Sequence, residues 1–547
     1  MRYWMLGLAL WMGQWATAQQ TVGLFFNDSL AQDGYTLWTP NRTTYLVDNC
    51  GRLVRQWESD YSPGLSVYLL EDGSLLRAGR ENGVFNSAGV GGRIEKFSWE
   101  GDLRWAYSYT GPNWHQHHDI EPLPGGNVLV AAWERKIVEQ ARQAGSDQDR
   151  EYWPLHIVEL QPVGTDSAEI VWEWHLWDHL IQDHDPTRDN YGPVREHPEL
   201  VDLNFLPPQG GFSGADWLHT NAIDYNPLRD EILISARDLS EILIIDHSTT
   251  STEAAGHTGG RSGRGGDLLY RWGNPQSYRR QGPEAQRFFL QHDARWIPPG
   301  HPRAGQIMVF NNGRNRPDGF YSSVDIISPP LDANGRYQLD PGKIYGPAEL
   351  AWTYPADPQD GFYSGIMSGA HPLPNGNYFI CVSDLNLFIE VTEAGEEVWR
   401  YVNPIGSNGP VAQGQLPPFT NVFRATRYPG FYPAFEARDL TPGEALELDP
   451  LPLDCQRFSV ATQTPAAAPP VVRVQQNPFG EELQLHKATS VELELSIYQL
   501  DGRLRYRGQW EATTLRLSTD HWPDGFYLIH VRNPKNGQVA GIKIVKA

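Results

Sequence analysis

Residues Tyr225 to Arg237 read YNPLRDEILISAR, and Ile242 to Ser248 follow as ILIIDHS. A Pro/Asn/Asp turn precedes an apolar β-rich run, and a second run returns after a short break, which is the pattern of two hairpins in one antiparallel sheet. The same pattern recurs at LLEDGSLLRAG (Leu69 to Gly79), PLPGGNVLVAAW (Pro122 to Trp133), WIPPGHPRAGQIMVFNNG (Trp296 to Gly313) and PLPNGNYFICVSD (Pro372 to Asp384). Each is followed by runs ending in aromatics, such as IEKFSWEGDLRWAYSY and LFIEVTEAGEEVWRYVNP. Repeats of this kind, about 50 to 100 residues apart, predict four-stranded propeller blades carrying insertions.

Five units are legible this way. A sixth is assembled from the ends of the domain, with FTNVFRATRYPG near Thr420 supplying inner strands and TTYLVDNCGRLVRQW near Tyr45 a closing hairpin. The expected fold is therefore all-β, a six-bladed propeller closed by N-terminal strands. A small β-sandwich should follow it, because the last segments alternate apolar and polar residues beyond a Pro/Ala-rich linker. The domain limits read as 1–18, 19–458, 459–473 and 474–547.

Composition agrees. Of 547 residues 12% are aromatic and only 20% charged, with 53 Gly and 42 Pro, which favours short strands and tight turns over long helices. A formal charge of −22 leaves no basic surface for nucleic acid. Arg2, the apolar run from Met5 to Met12 and the small residues Ala16, Thr17 and Ala18 read as a secretory signal peptide, so the protein is expected to pass through the periplasm and end at the cell surface or in the medium. No later stretch has the length of a transmembrane segment. In an oxidising compartment Cys50 and Cys455 can pair, while Cys381, inside NYFICVSD, reads as a buried apolar residue.

Counting six residues back from the turn prolines gives His118, Asn221, His292 and Ser368, all polar. Inner strands line the channel of a propeller, so these residues should form a ring around its axis. Period-two alternation adds His219 to the face of Asn221 and turns His117 away from His118. His219 and Arg237 lie equally far from Leu228 and should oppose each other across a hairpin, with Arg237 facing the channel. Asp119 and Asp293 should point away from their histidines and fix strand starts.

Three readings of the ring compete. The histidines can be hydrogen-bonded structural groups in a wet channel. They can hold a metal, but Arg237 repels a cation, so no metal is expected there. They can bind an oxyanion such as sulfate, phosphate or carboxylate, which suits a guanidinium beside imidazole and amide donors. Between the second and third blades, Asp178, His179, Asp183, His184 and Asp185 form a further cluster, read as a solvated lid within an insertion spanning 178–205 in preference to a metal site.

The segments HHDIEPLPGGNVLV, DWLHTNAIDYNPLRDEILISARDLSEILII, LYRWGNP, LQHDARWIPPG and SGAHPLPNGNYFICVSD together resemble the bacterial aryl-sulfate sulfotransferases, from about residue 40 to 435. The resemblance implies an exported enzyme that moves a sulfuryl group from an aryl sulfate donor to a phenolic acceptor, by ping-pong kinetics, without a nucleotide donor and with no cofactor. It implies that His292 is the nucleophile that becomes sulfated. His219, Arg237, Asn221 and His118 would hold the sulfuryl oxygens, with His117 in place of His118 if the HHD register is shifted; Ser368 has only its ring position. A protonated His118 or His219 would serve the departing phenolate. The alternatives are a non-catalytic surface propeller that binds a sulfated or carboxylated ligand, and an aryl sulfatase-like hydrolase with water as acceptor. Beyond the linker, NPF (Asn477 to Phe479), IYQLDGRL, DGFYLIHV and the terminal KIVKA resemble the sorting domain of type IX secretion cargo in the Bacteroidetes, implying a partnership with that machinery.

Overall fold

The computed structural model describes residues 20–206, 214–355, 361–418, 421–452, 455, 472–474, 479–487, 492–499, 504–523, 525–532 and 539–546. The signal peptide read at 1–18 and positions 459–471 of the linker lie outside them.

The chain forms a six-bladed β-propeller. Blade 1 comprises Pro63–Leu69, Leu75–Arg80, Gly92–Phe97 and Leu103–Ser108. Blade 2 comprises Trp114–Pro122, Val128–Glu134, Leu155–Val163 and Ser167–His175. Blade 3 runs through Thr220–Asn226, Glu231–Ala236, Glu241–Asp246 and Tyr270–Trp272. Blade 4 runs through His292–Trp296, Ile307–Asn311, Ser323–Ile327 and Trp352–Tyr354. Blade 5 has Gly369–Pro372, Tyr378–Val382, Leu387–Val391 and Glu397–Val402.

Closure is more interlocked than the sequence suggests. Blade 6 takes only its innermost strand, Ala425–Pro429, from the C-terminal side; Gly34–Trp38, Thr43–Asp48 and Leu53–Glu58 supply the other three. The expectation that FTNVFRATRYPG provides both inner strands is thereby corrected: this short segment has no hairpin turn of its own, so the N-terminal strand pairs with it. Gly23–Asn27 then adds a fifth, outermost strand to blade 5, against Glu397–Val402. Cys50 and Cys455 form a disulfide, and Cys381 is buried.

The apolar core is divided into seams between blades. Leu129, Ile157 and Trp174 of blade 2 meet Ile232, Ile234 and Leu243 of blade 3, and equivalent clusters fill the five other seams. Such packing leaves the channel to polar residues.

Around that channel each inner strand accepts a backbone N–H from the next. The N–H groups of Ile120, Ile223, Trp296, Ala370, Arg427 and Leu69 donate to Ser66 Oγ (3.2 Å), Asp119 Oδ2 (3.1 Å), Asp224 Oδ2 (2.7 Å), Asp293 Oδ2 (3.0 Å), His371 Nε2 (3.0 Å) and Tyr428 Oη (2.9 Å) in turn. The ring of clasps joins all six blades, and blade 6 hands on to blade 1.

The small C-terminal unit packs a three-stranded sheet (Val472–Val474, Glu482–Lys487, Thr514–Ser518) and a four-stranded sheet around Leu483, Leu495, Ile497 and Ile529. This is the expected sandwich. Among the described residues no helix is long and apolar enough to cross a membrane.

Candidate functional site

The inner strands of blades 2, 3 and 4 each break register near their starts, opposite Val130/Ala132, at Thr220/Ala222 and at His292/Arg295. His118, His219 and Asp293 have φ of +51°, +47° and +53°. A residue in this left-handed region bulges the strand and re-aims its neighbours. The bulges decide which side chains reach the axis.

One expectation changes at once. Strict alternation turns Asp119 and Asp293 away, yet both carboxylates grip the guanidinium of Arg424, which enters from blade 6. Arg424 Nη2 lies 2.8 Å from Asp119 Oδ2, and its Nε lies 2.8 Å from Asp293 Oδ1. Burial opposes the charge on Arg424, but the two carboxylates raise its pKa. The aspartates thus serve as clasps and counter-ions on the axis, and the bulges at their own strands are the physical reason. His117 likewise does not face away from its neighbour: its Nδ1 is 3.0 Å from Nδ1 of His118.

Above this pair of carboxylates lie the predicted groups. The rings of His118 and His219 meet edge to face at 4.5 Å between centroids. His117 stacks flat on Trp133, 4.3 Å away, one layer behind. His118 is therefore the member of the doublet that joins the ring. Gly89 makes this possible, since a Cβ there would fall 1.9 Å from the His118 imidazole. Burial, reinforced by His219, holds the pKa of His118 well below the ordinary histidine value; burial takes His117 to about 3.

His219 is oriented by Asp216, whose Oδ2 lies 2.6 Å from Nδ1. Asp216 in turn accepts from Trp133 Nε1 (2.9 Å) and Ser87 Oγ (2.7 Å). Burial works to raise the Asp216 pKa, but His219, with His117 and the Ser87 hydroxyl, brings it below the usual range. The carboxylate thus fixes a proton of His219 on Nδ1 and sets the orientation of the ring. The register Thr220↔Ala236 carries on to place His219 opposite Arg237, and Asp238 N–H bonds Leu218 carbonyl at 2.9 Å. Arg237 is buried and pairs with Asp238.

His292 is almost wholly buried. Its Nδ1 lies 2.7 Å from Asn312 Oδ1, while Asn312 Nδ2 donates to the carbonyls of Ser364 (2.8 Å) and Met367 (3.0 Å). With its amide nitrogen committed to carbonyls, Asn312 can only accept from the ring. His292 therefore carries its proton on Nδ1 and a lone pair on Nε2, which receives a long contact from the Met367 N–H at 3.2 Å. Burial first, and the charge of Arg237 next, push the His292 pKa well below the ordinary value. The ring is thus oriented and held neutral beside the charge of Arg237.

Asn221 stands at the blade 3 bulge. Its Nδ2 donates to the carbonyl of Gln291 at 2.7 Å, and its own carbonyl accepts from Arg424 at 3.0 Å. Ser368 is spent on structure, donating to Ser364 Oγ and accepting the Ser383 N–H, both at 3.0 Å; it shapes the turn that presents Met367. Sequence reasoning missed Asp216, Asn312 and Arg424. Arg424 lies just before the inner strand of blade 6, which, like blade 1, has no turn proline to count from.

The insertion after blade 2 also reads differently in three dimensions. His179 is buried, bonded to Asp267 and to the Ala254 carbonyl at 2.8 Å each, whereas Asp183 pairs with Arg279 and Asp185 with Arg188. The five residues form no cluster, because Trp174 stacks on His179 and draws it inward. A cleft of about 2310 Å³ opens at the turn end of the channel, lined by the Pro227, Pro298 and Pro374 turns. It lies at the opposite end of the inner strands from His292.

Residues 16–407 match the family described as arylsulfotransferase (ASST). No curated protein matches the chain. Similar solved structures include a protein of unknown function from Bacteroides caccae, 11% identical, covering 73% of this chain and 99% of its own, with a TM-score of 0.40. A putative 6-phosphogluconolactonase from Bacteroides fragilis is 10% identical over 73% and 98%, TM-score 0.34. Virginiamycin B lyase from Staphylococcus aureus is 10% identical over 72% and 90%, TM-score 0.31.

Proposed function

The chain belongs to the arylsulfotransferase family, and on that premise we propose that it moves a sulfuryl group from an aryl sulfate to a phenolic acceptor through a sulfated His292. The observation that carries this reading is the Nδ1 contact of His292 with Asn312, 2.7 Å, which puts the ring's lone pair on Nε2, where the Met367 N–H holds it at 3.2 Å and gives way when sulfur approaches. A neutral imidazole attacks sulfur as the aryl oxygen departs with the bonding pair. Arg237 neutralises the sulfuryl oxygens, with His118 beside it as a donor, and such preorganised charge in a dry site is the largest contributor to catalysis of this kind. Asn221 supports the strand before His292 and faces the same channel.

The phenolate needs a proton, and His219, oriented by Asp216, is the group placed to exchange one with it. Asp216 stabilises the imidazolium of His219, as a buried carboxylate on Nδ1 does for other acid–base histidines. His118, held neutral by burial, is poorly suited to that role. In the second half-reaction the acceptor phenol returns its proton to His219 as its oxygen takes the sulfuryl group from Nε2 of His292. Charge and protons balance over the cycle, so no cofactor enters. The N-terminal signal and the 474–547 sandwich support export by way of the periplasm and handling by a type IX machinery, with the mature chain starting near Gln19.

The test is nitrophenol release from p-nitrophenyl sulfate, with and without added phenol, paired with intact-mass analysis after donor alone. The wild-type protein should gain one sulfuryl group and release it to phenol, and His292→Ala should do neither. Unchanged turnover in His292→Ala sinks the assignment, and release independent of phenol makes the enzyme a hydrolase.

A further inference from the structure

On the outer hairpin of blade 2, His156 and His175 face each other across the strand pair, rings stacked at 4.0 Å and 16°. Glu173, two residues before His175, alternates onto the same face. Its Oε2 lies 3.5 Å from His156 Nε2 and 3.6 Å from His175 Nε2. These are long for hydrogen bonds. They are close to the separation of roughly 3.3 to 3.4 Å between donors placed tetrahedrally at about 2.0 to 2.1 Å from one ion, and all three donor atoms lie within 4.8 Å of one another, so an ion is reached once the two stacked rings turn their Nε2 lone pairs toward it.

Two further observations point the same way. His156 is only 6% exposed, and neither of its ring nitrogens has a hydrogen-bond partner. Buried polar atoms are nearly always satisfied, so a buried imidazole with both nitrogens idle marks a missing ligand. The second shell is also built: His175 Nδ1 lies 3.1 Å from Glu134 Oε2, and Lys136 Nζ holds the other oxygen of Glu134 at 2.6 Å. A carboxylate on Nδ1 fixes the tautomer and directs Nε2 at a metal. By contrast, the cluster of His179, His257 and Asp267 is closed by its own hydrogen bonds of 2.8 Å and has no idle donor.

We propose that His156, Glu173 and His175 bind one divalent cation of the zinc type, with Glu134 as the outer carboxylate. Two imidazoles and one carboxylate suit a borderline ion and not magnesium or calcium, which take oxygen ligands. The fourth position opens past Glu173, whose side chain is 42% exposed. The site lies at the end of blade 2 that carries the reaction centre, where the chain enters the insertion over 176–206. The ion pins the base of that insertion to its blade.

The experiment uses the full chain, stripped with a chelator, titrated with Zn²⁺ by calorimetry and with Co²⁺ by visible absorption. Wild-type protein is compared with the double variant Glu173→Gln/His175→Gln, whose altered side chains are partly exposed and tolerable to the fold, and with Glu134→Gln. The wild type should take up one equivalent more than the double variant, with the intense Co²⁺ bands of a four-coordinate site. Glu134→Gln should weaken binding on the order of 10- to 100-fold. Equal uptake by wild type and double variant, including none in either, overturns the site. If the double variant does not fold, unchanged affinity in Glu134→Gln overturns it.

Discussion

Asn312 holds Nδ1 of His292, and on the proposed mechanism it orients the nucleophile from behind the ring. Replacing it with Ala removes the acceptor that fixes the ring and frees the carbonyls of Ser364 and Met367. Turnover of an aryl sulfate should fall on the order of 100-fold, the scale for a slightly misplaced reacting group, as read by steady-state kinetics on a variant shown folded by circular dichroism. Intact kcat would make Asn312 a purely structural residue. The pH profile gives a second check on the same centre. Protonation would silence the Nε2 lone pair, and burial with Arg237 moves that event well below the ordinary histidine range. The sulfation step, followed as donor-only burst kinetics, should therefore stay level from pH 7 down to about 5, with no acid limb at the ordinary value of about 6.5. The identities of the ring residues were legible from turn counting because hairpin length fixes register. Their partners were not: Asp216, Asn312 and Arg424 come from loops and from another blade, and the bulges at His118 and Asp293 reverse the alternation that placed Asp119 and Asp293 outward.

Blades hold together at seams, and His247 ties one of them. It lies 2.8 Å from Asp230 of blade 3 and 3.0 Å from Glu159 of blade 2. Burial works against its charge, but the two carboxylates raise its pKa to about 9. The folded protein therefore binds this proton more tightly than the unfolded chain. The contribution is complete below pH 6.5 and is lost as pH rises through 9, and it amounts to at most about 3 kcal/mol. His247→Gln should lower stability at pH 6 and converge with wild type near pH 10, measured by urea unfolding; a constant difference across this range would rule out the charged bridge. The hairpins that build five blades were legible because each carries a turn signal between two β-rich runs. Gly23–Asn27 was not, since an edge strand paired with a distant partner has no local turn to announce it.

At the scale of the molecule, Arg424 is the centre of charge. Its removal takes from Asp119 its ion-pair partner and leaves Asp293 to Arg295 alone, and a broken buried pair costs up to about 3 to 5 kcal/mol. Arg424→Met should show this as a lower urea midpoint, and it should also reduce aryl sulfate turnover, because the same guanidinium holds the carbonyl of Asn221. A variant with wild-type stability would show that the two carboxylates are neutral in the fold. The overall architecture followed from the sequence repeats, whereas the way the ends interlock depended on contacts between residues about 400 positions apart, such as Gly34 with Pro429.

That distance has a temporal meaning. Strands Gly34–Trp38 to Leu53–Glu58 leave the ribosome first and wait for Ala425–Pro429, which is made after every other inner strand. Until Arg424 arrives, the carboxylates of Asp119 and Asp293 have no common counter-ion, and until Tyr428 follows, the Leu69 N–H has no acceptor across the seam between blade 6 and blade 1. The ring of inner strands is thus closed by the last of them to be synthesised. A chain cut short before Arg424 carries all three ring histidines and still lacks the cation that joins Asp119 to Asp293 beneath them.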